Sequence, residues 1–285
     1  MELPELTPAV VTLLVVEVAL YLAGLTTIYL WQFGDGAAAR QRVRIRAWNV
    51  SLGDFLLGAL VVVLGALALQ MTVIGLNRVR PEQFSADGWL ILQGGAFQLG
   101  MLGGALVAYK LIRLRPFEEG AGPACDPAAE PPPWGTVRGG LLLFLASLPL
   151  VFAVSLVWQQ VLKAAGLPLA QQELIELLRN TDSPGLVVGL AFLAVIIAPI
   201  TEETLFRAGL FRYLRTRVPR VAALLISSLV FAALHGNPVA FGPLVALGIL
   251  LAIAYERTGR IAVPIIAHGL FNLHTLLLLL SGIDI

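Results

Sequence analysis

Eight long apolar stretches dominate the chain. They run approximately over Pro8–Phe33, Phe55–Leu76, Trp89–Ile112, Gly139–Ala164, Gly185–Phe211, Val221–His235, Val239–Tyr255 and Ile261–Leu280. Each is a continuous run and not an alternation of apolar and polar positions. Helices are therefore predicted, and not the ten-residue alternating strands of a membrane barrel. A hydrocarbon core of about 30 Å takes roughly 20 mainly apolar residues per helix, and the sixth and seventh stretches are short for that. The expected fold is all-α: a polytopic membrane helix bundle of about eight transmembrane helices. The opening Met-Glu-Leu-Pro-Glu lacks the basic start of a signal peptide, and the first stretch is too long for its apolar region. It reads as a retained helix.

Composition narrows the class. The 285 residues are 58% hydrophobic and 13% charged, against about 25% charged in soluble domains. That is too little charge to cover a water-facing surface, so a soluble enzyme and a disordered chain are excluded. Nineteen basic against 18 acidic residues, a net +1, leave no basic excess for nucleic acid. The single cysteine, Cys125, excludes an intramolecular disulfide framework and any multi-cysteine zinc or iron–sulfur site. Basic residues also sort by side. With the N-terminus outside, the inner loops hold Arg40, Arg42, Arg44, Arg46, Lys110, Arg113, Arg115, Arg138, Arg207, Arg212, Arg215, Arg217, Arg220, Arg257 and Arg260. Only Arg78, Arg80, Lys163 and Arg179 fall outside. This fifteen-to-four split obeys the positive-inside rule and supports eight spans with both termini outside.

Four regions follow. Residues 1–115 form an N-terminal three-helix membrane region, and 116–137 a Pro-rich cytoplasmic linker. The linker lies in the run Arg115–Trp134, rich in Pro, Gly and Ala, where regular structure is not expected. Residues 138–184 hold the fourth span plus an outer amphipathic segment, Leu167–Ser183, and 185–285 a core of four spans. No internal repeat is found. Cys125 reads as an incidental thiol, and the five tryptophans as interface anchors.

An ionisable side chain near mid-bilayer costs roughly 2.5–3.5 kcal/mol on insertion scales, so the polar groups of the last spans need a reason. Glu202, Glu203 and Arg207 lie in the fifth span, His235 ends the sixth, and His268 and Asn272 lie in the eighth. Glu203 and Arg207 are four apart and can pair on one face. Glu202 is turned about 100° from Glu203 and is free to find another partner. His268 and Asn272 share a face, whereas His274 points about 120° from His268 and reads as structural or interfacial. A carboxylate can take a proton from water, two imidazoles can bind a divalent metal, and an amide can donate to an oxyanion. The set suits amide hydrolysis. An ion-coupled membrane transporter and a non-catalytic membrane scaffold remain open beside it. His-Glu-x-x-His, Gly-x-Ser-x-Gly and Walker patterns are absent, and Asp54 has no facing membrane aspartate.

Taken in order, Glu202-Glu203-x-x-x-Arg207, Phe231-x-x-x-His235 and His268-x-x-x-Asn272 resemble the CPBP family. These are the CAAX-prenyl-protease and bacteriocin-processing intramembrane endopeptidases, also called the Abi family. The resemblance covers about Gly185–Ser281 and leaves out the first three spans and the linker. It implies a CPBP-type intramembrane metalloendopeptidase with its site open to the cytoplasm. By the same resemblance, Glu202 is the general base with His235 beside it. Glu203, held by Arg207, orients the site, and His268 and Asn272 stabilise the oxyanion. A divalent metal such as zinc is a candidate cofactor, with His235 and His268 as its ligands, although a glutamate-activated water without tightly held zinc has been argued for the eukaryotic members. The expected partners are a membrane-associated peptide or protein substrate and the lipid bilayer. The Ala-, Leu-, Gly- and Arg-rich composition suggests a GC-rich bacterium, hence its inner (cytoplasmic) membrane and a substrate that is not a prenylated CAAX protein.

Overall fold

The computed structural model describes residues 7–35, 42–45, 48–113, 135–167, 177–178 and 181–281. Residues 116–134 of the Pro-rich linker, with Cys125, and most of the predicted amphipathic segment lie outside the described residues. Most of those described are helical, with no strand among them. We number the helices α1 Pro8–Phe33, α2 Leu52–Val79, α3 Ala86–Arg113, α4 Thr136–Ala164, α5 Pro184–Arg215, α6 Arg220–Ala233, α7 Pro238–Thr258 and α8 Ala262–Leu280. All but α6 are long and apolar enough to cross a membrane. The protein is an integral membrane helix bundle. The sixth predicted span is the short one: α6 has 14 residues, about 21 Å at 1.5 Å per residue, less than the hydrocarbon thickness.

Local sequence explains the helix ends. Ser51 accepts from the Asp54 amide and starts α2. Ser183 accepts from Leu186 and is followed by Pro184 at the first turn of α5. Asn237 accepts from Val239 and Ala240, with Pro238 opening α7. These short polar acceptors satisfy amides that have no partner inside the helix, and a first-turn proline has no amide to lose. Gly259 ends α7 in the left-handed region at φ 65°, which a side chain resists.

Lipid offers the helices no hydrophobic drive toward one another, so contact depends on close packing of small residues. α2 lies along α3 through a seam of Gly65, Gly100 and Gly104. α3 in turn leans on α5. α4 is central: it packs against α1, α7 and α8, while α6 packs along α7. Val151, Leu247, Leu251 and Ala267 form one core between α4, α7 and α8. Side chains such as Val15, Leu22, Leu60, Leu106 and Val157 face outward, as lipid requires. Two tryptophans have defined polar partners. Trp89 is buried, with its indole N–H donating to the Pro81 carbonyl, and that of Trp158 donates to Pro238.

Several of the arginines gather at one end of the bundle. Glu256, fully buried near the end of α7, receives Arg215 at 2.6 Å and Arg220 at 2.7 Å. The chain before α2 folds onto the same end. The amides of Arg44 and Ile45 donate to the Glu256 carbonyl, and Ile45 enters a core with Phe211, Ala223, Leu224, Ala252 and Tyr255. Arg217 donates to the carbonyls of Trp48 and Val50.

Candidate active site

α5 carries Glu202 and Glu203 on a short α-helical turn, Ala198–Glu203. Wider π-helical turns flank it, Leu193–Ile197 before and Thr204–Phe211 after. Such turns add a residue to the helix, shift the faces beyond them and are frequent at functional sites. Thr201 lies on the face toward α3, its hydroxyl reaching the Gln98 carbonyl at 3.5 Å. α8 meets α5 at the first wide turn. A Cβ on Gly269 would lie 2.6 Å from the Val195 carbonyl oxygen, so only glycine permits this approach.

The i, i+4 pair forms as its spacing predicts. The Arg207 guanidinium donates to Glu203 Oε1 at 2.7 Å, and both side chains are buried. Arg207 also donates to the Gly248 carbonyl of α7 at 3.3 Å and stands 4.3 Å over the Phe231 ring of α6. One guanidinium thus ties α5 to α6 and α7. Glu203 Oε1 meets a second group, His268 Nδ1 of α8, at 2.8 Å. A carboxylate bonded to arginine can only accept, so Nδ1 carries the hydrogen and Nε2 faces the other way.

Glu202 finds a different partner set, as its 100° turn from Glu203 requires. Its Oε2 lies 3.8 Å from His268 Nε2 and 3.9 Å from His235 Nε2. His235 is held by its own Nδ1, 2.8 Å from the Phe231 carbonyl. That carbonyl accepts, so His235 Nε2 is the free ring nitrogen. Glu202 Oε2 is buried without a hydrogen-bond partner. Three acceptor atoms therefore surround one gap too wide for direct bonding. A water donating its hydrogens, or a cation, would satisfy them. Glu202 and His235 retain 15% and 27% exposure while His268 has 3%, so access comes from the Glu202–His235 side.

Asn272 stands apart from this gap in its bonding. Its amide donates to the Ala194 carbonyl in the first wide turn of α5 at 2.8 Å. An amide NH₂ has a second hydrogen to give. The donor types fit a divalent metal: two free imidazole nitrogens, each ring held from behind, and a carboxylate oxygen. The spacing is wider than a formed site. Two ligands on tetrahedral zinc lie about 3.3–3.5 Å apart at ordinary bond lengths. Among the described residues no three His, Cys, Asp or Glu side chains are grouped closely enough to hold a metal ion.

Three carbonyl partners, Gly248, Ala194 and Phe231, have no sequence signature, because every residue offers a backbone acceptor. Glu17, which meets His274 across α1 and α8, is a further polar residue that the motifs do not include. A lone carboxylate in an apolar run was the available signal.

Comparison with known proteins covers the same helices. Residues 184–274 match the family model of the type II CAAX prenyl endopeptidase Rce1-like group. The membrane-embedded CAAX protease MroQ of Staphylococcus aureus (strain USA300) is 40% identical over 91 residues, 28% of this chain and 35% of that protein. YdiL of Bacillus subtilis (strain 168) is 35% identical over 88 residues, 31% of this chain and 36% of its own. The chain thus spans about a third of the length of these curated relatives. No solved structure matches it. The helices that bring Glu202, Glu203, Arg207, His235 and His268 together are the matched ones, so the likeness to the Rce1-like type II CAAX prenyl endopeptidases falls on the segment, residues 184–274, that holds the candidate site.

Proposed function

We propose that the protein is an intramembrane endopeptidase that hydrolyses a peptide bond of a membrane-associated peptide or protein. The observation that carries this reading is the gap bounded by Glu202 Oε2 and the two Nε2 atoms. A water there gives its hydrogens to Glu202 Oε2 and His235 Nε2 and is ready to lose a proton. Glu202 takes that proton as the water oxygen attacks the carbonyl carbon, and returns it to the nitrogen as the C–N bond breaks. His235 Nε2 holds the water's other hydrogen. Glu203, fixed by Arg207, holds the His268 ring. When protonated, His268 Nε2 donates to the developing oxyanion, joined by the second amide hydrogen of Asn272. A divalent metal such as zinc, held by His235, His268 and Glu202, would supply Lewis-acid polarisation of the water. The protein would sit in a bacterial inner membrane, with both termini outside and the site open to the cytoplasm, on the arginine-rich side. Its substrate would lack a prenyl group.

The test uses purified protein in detergent on membrane peptides with and without a prenylated cysteine. Wild type is expected to cut unprenylated peptides. Glu202→Gln should reduce the rate by about 10²–10⁴-fold while remaining folded, and a chelator should leave the wild type unchanged. Cleavage that survives Glu202→Gln, or none by wild type, would overturn the reading. Cutting confined to prenylated peptides would overturn the substrate. Loss on chelation with recovery on zinc would install the metal.

A further inference from the structure

Away from the gap, a second carboxylate–imidazole pair lies inside the helical bundle. Glu17 of α1 stands nine residues from the start of its helix. His274 of α8 stands six residues from the end of its own. Those offsets put them about 14 Å and 9 Å from the nearer helix ends. His274 Nε2 is 2.9 and 3.1 Å from the two Glu17 oxygens. The side chains are 13% and 17% exposed for His274 and Glu17. The edge of the ring pair with Phe144 of α4, centroids 5.9 Å apart, closes one flank. Tyr21, one turn along α1, packs on Phe152 of the same α4. Ionisable groups at membrane depth are costly and call for a function.

The helix geometry indicates which one. His274 projects about 120° from His268 around α8. On its other side α8 is held by His268 to Glu203 and by Asn272 to Ala194, both on α5. A hydrogen bond to two oxygens is directional, as apolar contact with α1 is not. We propose that Glu17 and His274 are positioning residues: their bond sets the rotation of α8 and with it the placement of His268 and Asn272. This rests on the peptidase reading above. It gives α1, outside the matched segment, a part in the site. A rotation of about 20° moves a group some 6 Å from the axis by about 2 Å. Misplacement of even 1 Å can cost about 10²-fold in rate.

Glu17→Leu and His274→Leu should each lower kcat by about 10–100-fold at nearly unchanged KM. The double variant should be no worse than either alone. Glu17→Gln keeps an acceptor for Nε2 and should retain most of the wild-type rate. A spin-label distance between α5 and α8 reads the same event without cleavage. It should shift in Glu17→Leu and hold in Glu17→Gln. Unchanged kcat, or losses that add in the double variant, would overturn the proposal, and so would an unchanged α5–α8 distance. A purely structural tie would lower the melting temperature and leave kcat of the folded fraction intact. Should wild type not cleave any peptide, the peptidase reading fails and the distance alone decides the positioning role.

Discussion

Arg207 ties three helices of the candidate site together. It neutralises the buried Glu203, donates to Gly248 and covers the Phe231 ring. Removing one partner of a buried ion pair strands the other charge, at about 3–5 kcal/mol. Arg207→Met is therefore expected to lower stability by that amount, read from thermal melts in detergent. Arg207→Met/Glu203→Gln should recover part of the stability without recovering cleavage, because a neutral amide no longer holds His268 as the carboxylate does. The pair was legible in the sequence, since four residues is one helical turn. The partner of His268 was not, because 65 residues separate it from Glu203 and only packing sets that distance.

The helices that matter most here are α5 and α8, which touch at a wide turn. Spacing alone predicts one apolar stretch over Gly185–Phe211. The continuous helix instead runs to Arg215 and contains two π-helical segments. Apolar periodicity is nearly blind to such segments when every face is apolar. Gly269 is the point of contact, and its neighbour is a backbone oxygen that cannot swing aside. Gly269→Ala is expected to push α8 from α5, lengthen the Asn272–Ala194 bond and reduce cleavage about tenfold or more. Gly103 has nothing within 4 Å of a built Cβ, and Gly103→Ala, assayed beside it, should leave the rate unchanged.

Across the molecule, charge separates the two ends of the bundle. Glu256 is buried between Arg215 and Arg220, beneath the folded-back chain of Arg44 and Ile45. Glu256→Gln would leave two guanidinium groups facing each other across α5, α6 and α7. The melting temperature should fall by on the order of 5–10 °C. Hydrogen exchange should quicken at residues 212–220 and 250–258 before it does elsewhere, and an even change along the chain would refute this clamp.

The sequence by itself determined the class of molecule, the number of long apolar helices to within α6, the clustering of arginines at one end and the Glu203–Arg207 pair. Each depends on composition or on separations within one helical turn, which a chain carries before it folds. Tertiary structure alone decided which nitrogens face Glu202, which carbonyls hold Arg207, His235 and Asn272, and that Glu17 of the first helix meets His274 of the last. Those contacts depend on helix rotation and on approach within a few ångströms. In lipid, these are set by small-residue packing and directional hydrogen bonds, and not by the burial of apolar surface that hydropathy records.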